Sequence, residues 1–302
     1  MDFGRVNNID AVDFSLPPDH TITKEVLKSL KPNKKPVQLH VGCAKWGRED
    51  WIGKIYPKGT KSKDFLSHYV QYFNCIELNA LFYNLQPKKV IERWASLAGN
   101  DFRFCPKFSN SISHIRQLKN ADQETDRYID HMLSFGDKLG PSFLQLSDRF
   151  GTNRAEVVEN YIQSLPRDFK TIIELRHLDW FSKNEAADKI FPLFRELKIG
   201  TVITDTSGRR DCLHMKLTTP MAFIRFVGNN MHPTDFSRID GWVERVRTWI
   251  DKGLKEIYFF IHNHEELNSP ELCKYAIEQF NNKCGTTLKV PRLLNGEGGR
   301  LF

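Results

Sequence analysis

The sequence predicts a single α/β domain, a (β/α)8 barrel of the TIM type with an N-terminal extension. Three observations carry that expectation. Eight short apolar runs recur along the chain, nearly all separated by stretches of helical period, which is the pattern of a parallel sheet. The eight units fill most of the 302 residues, a length that suits a closed barrel. No Gly-x-Gly-x-x-Gly turn follows the first strand, which weakens a dinucleotide-binding sheet, so no nucleotide cofactor is expected. An open, doubly wound sheet is the competing arrangement, because strand order leaves no mark on a sequence.

Residues 1–37 are polar and turn-rich. Pro17-Pro18 and Pro32-Asn33-Lys34-Lys35-Pro36 break regular structure, and 23–30 can form one short helix between them. This segment reads as an extension strapped to the main domain. Residues 38–284 make up the barrel and 285–302 a C-terminal tail. Strands are expected at 39–44, 75–79, 102–107, 142–146, 171–176, 201–205, 222–227 and 257–262. Helices are expected near 63–73, 88–97, 123–139, 154–164, 185–197, 241–252 and 270–280. The stretch from Thr206 to Pro220 is rich in Gly, Arg and Thr and reads as a long loop with little helix.

Hydrophobic residues at 40% and charged residues at 27% suit a chain that buries a sizeable core. The opening Met1-Asp2-Phe3-Gly4-Arg5 has neither a basic nor an apolar signal region, so secretion is not expected. No apolar run approaches the roughly 18 residues of a membrane span. Cys43, Cys75, Cys105, Cys212, Cys273 and Cys284 are scattered, with no C-x-x-C pair. That spacing points to reduced thiols in a cytoplasmic protein, not to a disulfide frame or a cysteine metal site. The formal charge of +7 attracts phosphate-bearing partners, nucleic acid among them. Yet Lys34-Lys35, Lys88-Lys89 and Arg209-Arg210 are separate and interleaved with acids, as on ordinary solvated faces.

Strand periodicity places the candidate site. Side chains alternate between the two faces of a strand, and in a parallel barrel the outer face is covered by helices and should be apolar. Ile76 and Leu78 then face out, turning Glu77 and Asn79 inward. Ile173 and Leu175 do the same for Glu174 and Arg176, and Ile224 and Phe226 for Arg225. In the sixth strand Val202 and Thr204 are expected outside and Asp205 inside. Lys107 ends the third strand and Gln145 lies near the end of the fourth. All sit late in their strands, at the end where barrel enzymes keep their active sites. Three acids facing three cations also describes a structural ion network plugging the mouth.

The named acids supply a pair for acid–base work, with Glu77, Glu174 and Asp205 as the catalytic candidates. Lys107, Arg176 and Arg225 suit an anionic, phosphate- or carboxylate-bearing substrate. A hydrolase or lyase fits this combination. Glycoside cleavage is a variant in which Trp46, Trp51, Tyr83 and Trp180 supply stacking surfaces, although aromatics just past strand ends also pack loops. A divalent metal is open to the same acids with His262 and His264. If Ile257, Phe259 and Ile261 line the barrel, however, Asn263 is the pocket residue and those histidines are structural. His177 follows Arg176 and could join the site. The rival class is a non-catalytic nucleic-acid or phosphate-binding protein. A membrane partner is not expected, and the sequence sets no oligomeric state.

Several segments carry a resemblance. They are Gly42-Cys43-Ala44-Lys45-Trp46 followed by Trp51-Ile52-Gly53-Lys54-Ile55-Tyr56-Pro57, then Glu77-Leu78-Asn79-Ala80-Leu81-Phe82-Tyr83, and Phe104-Cys105-Pro106-Lys107. Glu174-Leu175-Arg176-His177-Leu178-Asp179-Trp180, Ile224-Arg225-Phe226-Val227-Gly228 and Phe259-Phe260-Ile261-His262-Asn263 complete the series. Together they resemble the YecE-like family, domain of unknown function seventy-two, over about 39–282. The resemblance implies a (β/α)8 barrel and no assigned activity. The chain departs from the family pattern at Ile55 (usually Phe), at Leu146-Ser147 (usually an aromatic then Pro) and at Val227 (usually His).

Overall fold

Nearly every strand residue is buried, and the two faces of the strands sort their apolar residues into two clusters. Ile76, Leu78, Ile173, Leu175, Ile203, Ile224, Phe226, Phe259 and Ile261 join the large core beneath the helices. Cys75, Cys105, Phe143, Ile172, Val202, Phe223, Tyr258 and Phe260 form a second, inner cluster on the opposite face. This two-sided burial is what parallel strands require. The computed structural model describes residues 3–32 and 35–294.

Eight strands run in the predicted order: β1 Gln38–Cys43, β2 Cys75–Leu78, β3 Arg103–Pro106, β4 Ser142–Gln145, β5 Thr171–Glu174, β6 Gly200–Asp205, β7 Met221–Gly228 and β8 Glu256–Asn263. Helix α1 (Thr21–Ser29) precedes them, and α2 (Phe65–Tyr69), α3 (Lys88–Leu97), α4 (Asp122–Met132), α5 (Ala155–Ser164) and α6 (Glu185–Glu196) follow the first five strands. α7 (Pro233–Asp251) and α8 (Ser269–Cys284) follow the last two. α7 begins eight residues before the expected start, because Pro233 is preorganised for the first turn and His232 caps it. Among the described residues no helix is long and apolar enough to cross a membrane.

The hydrogen-bonded ladders do not close into one ring. Six strands pair in the order β1-β8-β7-β6-β5-β4, and β2 pairs with β3 alone. Between β3 and β4 the contact is reduced to isolated bridges, Phe104 to Leu139 and Lys107 to Phe143. Between β1 and β2, side chains take the place of the ladder. The Tyr69 hydroxyl accepts from the Cys43 amide at 2.8 Å and donates to the Cys75 carbonyl at 2.9 Å. The Asn74 amide group accepts from Val41 N and donates to Leu39 O, both at 2.9 Å. Gly42 permits this approach: a Cβ there would lie 2.1 Å from the Cys75 carbonyl oxygen.

No α-helix follows β6, as the composition of that stretch predicts, and the N-terminal extension occupies the neighbourhood. The Thr23 hydroxyl of α1 donates to Met215 O and accepts from Leu217 N, both at 2.7 Å. Ile22, Val26 and Leu27 are buried, and Glu25 pairs with Arg195 of α6 at 2.7 Å. On the α7 side, Arg245 and Trp249 reach Asp19. These contacts hold Asp19 and α1 against α6, α7 and the segment after β6. The C-terminal tail is described only as far as residue 294, and 295–302 lie outside the described residues.

Gly42→Ala should destabilise the protein by about 3 kcal/mol, the upper end of what overpacking usually costs, since a backbone oxygen cannot swing aside. Urea unfolding measures this, and a variant as stable as the parent would show that β1 and β2 need no such closeness.

Candidate functional site

Three of the predicted residues meet on the inner face at the carboxyl ends of the strands. Arg225, on β7, donates from Nε and Nη2 to the two oxygens of Glu77 at 2.8 and 2.9 Å. Its Nη1 donates to both oxygens of Glu174 at 3.0 and 2.8 Å. Glu77 belongs to the β2–β3 pair and Glu174 to the six-stranded sheet, so one guanidinium joins the two. Each carboxylate oxygen of Glu77 has a second donor: Asn79 Nδ2 at 2.8 Å on Oε1, and His262 Nε2 at 2.9 Å on Oε2. Glu174 Oε1 also accepts from Arg176 Nε at 2.8 Å and from the Thr204 hydroxyl at 3.0 Å.

This packing fixes the charges. Burial alone would raise both carboxyls, but the cations beside them outweigh it. Arg225 and His262 hold Glu77 well below the usual carboxylate range. Arg176 and Arg225 hold Glu174 at about 2. Both are anions near neutral pH.

Lys107 stands differently. Its Nζ donates to Gln145 Oε1 at 3.0 Å and lies 4.1 Å from the centre of the Phe82 ring. Among the described residues no carboxylate comes within ion-pair distance of it. Burial, and then the charge of Arg225, pull its pKa down to about 8. Arg176 is also incompletely partnered, since its Nη2 is buried and finds no hydrogen-bond acceptor among the described residues. Phe3 of the extension lies over the Arg176 guanidinium at 4.0 Å and near that of Arg209 at 5.3 Å.

Exposure sets Lys107 and Arg176 apart from the rest of the cluster. Glu77, Glu174 and Arg225 are at most 1% exposed, whereas Lys107 is 9% exposed and the Arg176 side chain 12%.

The remaining expected site residues lie elsewhere. Asp205 faces the helices, not the inner cluster: it accepts from Arg238 at 2.9 Å, from Trp242 Nε1 at 2.8 Å and from Arg210. The parity of β6 is the reverse of the sequence expectation, with Val202 and Thr204 inside, because Val and Thr suit either face. Asn263 also faces outward, contacting Ser269 and the Asn230 amide. His262 takes the inner position, and Ile257, Phe259 and Ile261 pack under the helices instead of lining the inner face. Applying to β8 the aliphatic-outside rule used for β2, β5 and β7 would have found His262. Trp180 is fully buried and anchors a loop through Nε1 to Phe150 O at 2.7 Å. Trp46 packs edge-on against Trp94 at 5.2 Å, and Trp51 is buried with its Nε1 on Glu266 O. Tyr83 is 81% exposed beside Phe82, so it borders the mouth without entering the cluster. His177 caps the turn at Leu178–Phe181 by accepting from Asp179 N. Arg209 pairs with Asp211, so neither it nor Arg210 is a free cation. Among the described residues no three His, Cys, Asp or Glu side chains are grouped to hold a metal ion.

Two outcomes follow. Arg225→Met leaves two buried carboxylates facing each other and should cost about 3–5 kcal/mol. Adding Glu77→Gln and Glu174→Gln should return a large part of that loss, as read by denaturant melts; no recovery would mean the cation acts by packing alone. The folded-state pKa of Glu174 lies below its unfolded value, so its contribution is complete above about pH 4.3 and fades as pH falls towards 2. Glu174→Gln should flatten the stability profile over that window, and an unchanged acid limb would contradict the assignment.

A family model described as "Protein of unknown function DUF72" matches residues 40–294. The chain is similar to UPF0759 protein YecE of Escherichia coli K12, 26% identical over 252 residues, covering 78% of this chain and 89% of that protein. It is also similar to UPF0759 protein YunF of Bacillus subtilis, 24% identical over 272 residues, covering 82% and 89%. Among solved structures, a DUF72 family protein from Enterococcus faecalis V583 superposes with a TM-score of 0.64 at 18% identity, covering 86% of this chain and 99% of that one. Another from Thermotoga maritima gives 0.62 at 21% identity, covering 82% and 100%. At these identities the structural likeness speaks for the fold, while the family model spans most of the sequence: the chain belongs to the DUF72 family.

Proposed function

We propose that this protein is an enzyme of the lyase or hydrolase class acting on a phosphate- or carboxylate-bearing substrate at the carboxyl ends of its strands. The observation that carries the reading is the pair of less buried cations, Lys107 and Arg176, beside the buried carboxylates. Two carboxylates lie buried, each oxygen engaged by Arg225 and its neighbours, while Lys107 and Arg176 stand nearer the surface with unfilled hydrogen-bonding capacity. Three cations against two carboxylates leave one positive charge for a ligand to neutralise. Planar guanidinium groups bind such anions in two-pronged fashion.

The roles are assigned accordingly. Arg176 and Lys107 receive the anionic group. Glu77 and Glu174 hold Arg225 in place and keep the site polarised, while Lys107, at about 8, is the group suited to exchanging a proton near neutral pH. Asp205 belongs to the helix side and has no part in this chemistry. We take the eight parallel strands as a (β/α)8 barrel with its ladder interrupted at β1–β2 and thinned at β3–β4. Tyr69 and Asn74 spanning the first gap support that view. The six free thiols favour a cytoplasmic location.

Inorganic phosphate and citrate should raise the melting temperature of the full chain in a saturable way. Arg176→Gln and Lys107→Met should each weaken that binding by about tenfold, the scale of one charge-assisted contact. Equal stabilisation of parent and both variants, or none of the parent, would remove the anion site.

A further inference from the structure

Lys107 is held where a permanent ammonium ion is poorly served. Its amide donates to Leu78 O at 3.1 Å, which fixes the backbone just past β3. From there the side chain runs between aromatic walls, with Nζ 4.1 Å from the Phe82 ring centre and 6.0 Å from that of Phe143. Among the described residues its one hydrogen-bond acceptor is a neutral amide, Gln145 Oε1. The carboxylates that would ordinarily pair with it, Glu77 and Glu174, are engaged by Arg225. Burial and the charges of Arg225 and Arg176 oppose its own charge and outweigh the support it draws from Glu174 and Glu77. His114, edge-on to Phe82 at 5.1 Å with Nδ1 on the Ser113 hydroxyl, is itself less basic than usual through burial and the charge of Lys107. Apolar walls, a neutral partner and flanking guanidiniums are the surroundings that turn a lysine into a nucleophile.

We propose that Lys107 is a nucleophilic amine that condenses with the aldehyde or ketone carbonyl of an anionic substrate, forming an imine at the mouth of the strands. This rests on the anionic reading of the site, and it narrows the substrate to a carbonyl compound that also carries phosphate or carboxylate. Arg176 holds the anionic group and Lys107 meets the carbonyl carbon. The amine lone pair forms the C–N bond while the C=O π pair moves to oxygen, and one proton passes from nitrogen to that oxygen. The hydroxyl then leaves as water, taking one further proton from solvent, and the nitrogen lone pair closes the C=N bond to give a protonated imine. No oxidant or reductant takes part. The protonated imine draws electrons from an adjacent C–H or C–C bond, as a lyase requires, and water later frees Lys107.

Basicity supports the geometry. At about pH 7.4 a group titrating at about 8 is about one-fifth free amine, against about one-thousandth for an ordinary lysine.

The test uses the full chain with glyceraldehyde 3-phosphate or pyruvate and sodium cyanoborohydride, read by intact mass and peptide mapping. The expected result is one reduced adduct per chain, on Lys107, slowed at least fivefold by inorganic phosphate. Its rate should rise only about twofold between pH 8 and pH 10, where surface lysines rise more than tenfold. Lys107→Met should lose the adduct. Lys107→Arg keeps the charge and should bind phosphate without forming one, which separates loss of the amine from loss of folding. Adducts spread over surface lysines, with none favoured at position 107, would overturn the imine. If phosphate still stabilises the parent in that case, only the covalent step falls; if it does not, the anion site falls with it.

Discussion

A guanidinium taken out of water keeps its charge comfortably only where its N–H groups find acceptors, and two carboxylates buried together need a cation between them. Arg225 meets both conditions. It is 1% exposed, and its Nε, Nη1 and Nη2 all donate to Glu77 or Glu174. Because those acids sit on hydrogen-bonded sheets that do not share a ladder, the relative placement of β2–β3 and the six-stranded sheet is tied to this contact. The state of Lys107 follows from it. With both carboxylates engaged, the lysine is left with an amide and two aromatic rings, and its basicity drops.

The pleat of β6 separates this inner network from a second, outer one. Thr204 bonds Glu174 on one side, and Asp205 bonds Arg238 and Trp242 on the other. The outer network ties the end of β6 to α7, and the extension builds on it: Phe14 covers Arg238 at 4.7 Å and Arg210 at 5.3 Å. Phe3 does the same for Arg176 on the inner side. A chain lacking a helix after β6 thus uses α1, together with aromatic–guanidinium contacts, to cover that part of the molecule.

Much of this could be read from the residues, and the failures have a common cause. β2, β5 and β7 each place one charged residue between two aliphatic or aromatic neighbours, as in Ile76-Glu77-Leu78, so the burial rule assigns their faces without ambiguity. β6 offers Val202-Ile203-Thr204-Asp205, where Val and Thr fit either face and the acid has an outside partner, Arg238, that nothing local reveals. After Glu256, β8 is aliphatic or aromatic on both faces as far as Ile261, so the polar residue of its inner face appears only at His262. The interrupted ladder at β1–β2 was also hidden. Gly42 hints at close approach, but the Tyr69 and Asn74 bridges depend on register between elements about thirty residues apart. The buried indoles of Trp51 and Trp180 have aromatic spacing that suits a binding face as well as a packed loop.

The alternatives of a structural plug and a ligand pocket need not compete over the same residues. Arg225, Glu77, Glu174 and the Nε2 of His262 form a plug in the physical sense: each carboxylate oxygen is engaged by at least one donor, and exposure is at most 1%. Arg225 against two carboxylates leaves this plug with one net negative charge, which Arg176 on Glu174 neutralises; a plug alone gives no reason for the further charge of Lys107. Arg225 and Arg176 each lower the basicity of Lys107. Self-repulsion of this kind destabilises the free protein and is lifted by an anion, so its persistence beside a neutralised core is what a site built for an anionic partner would retain.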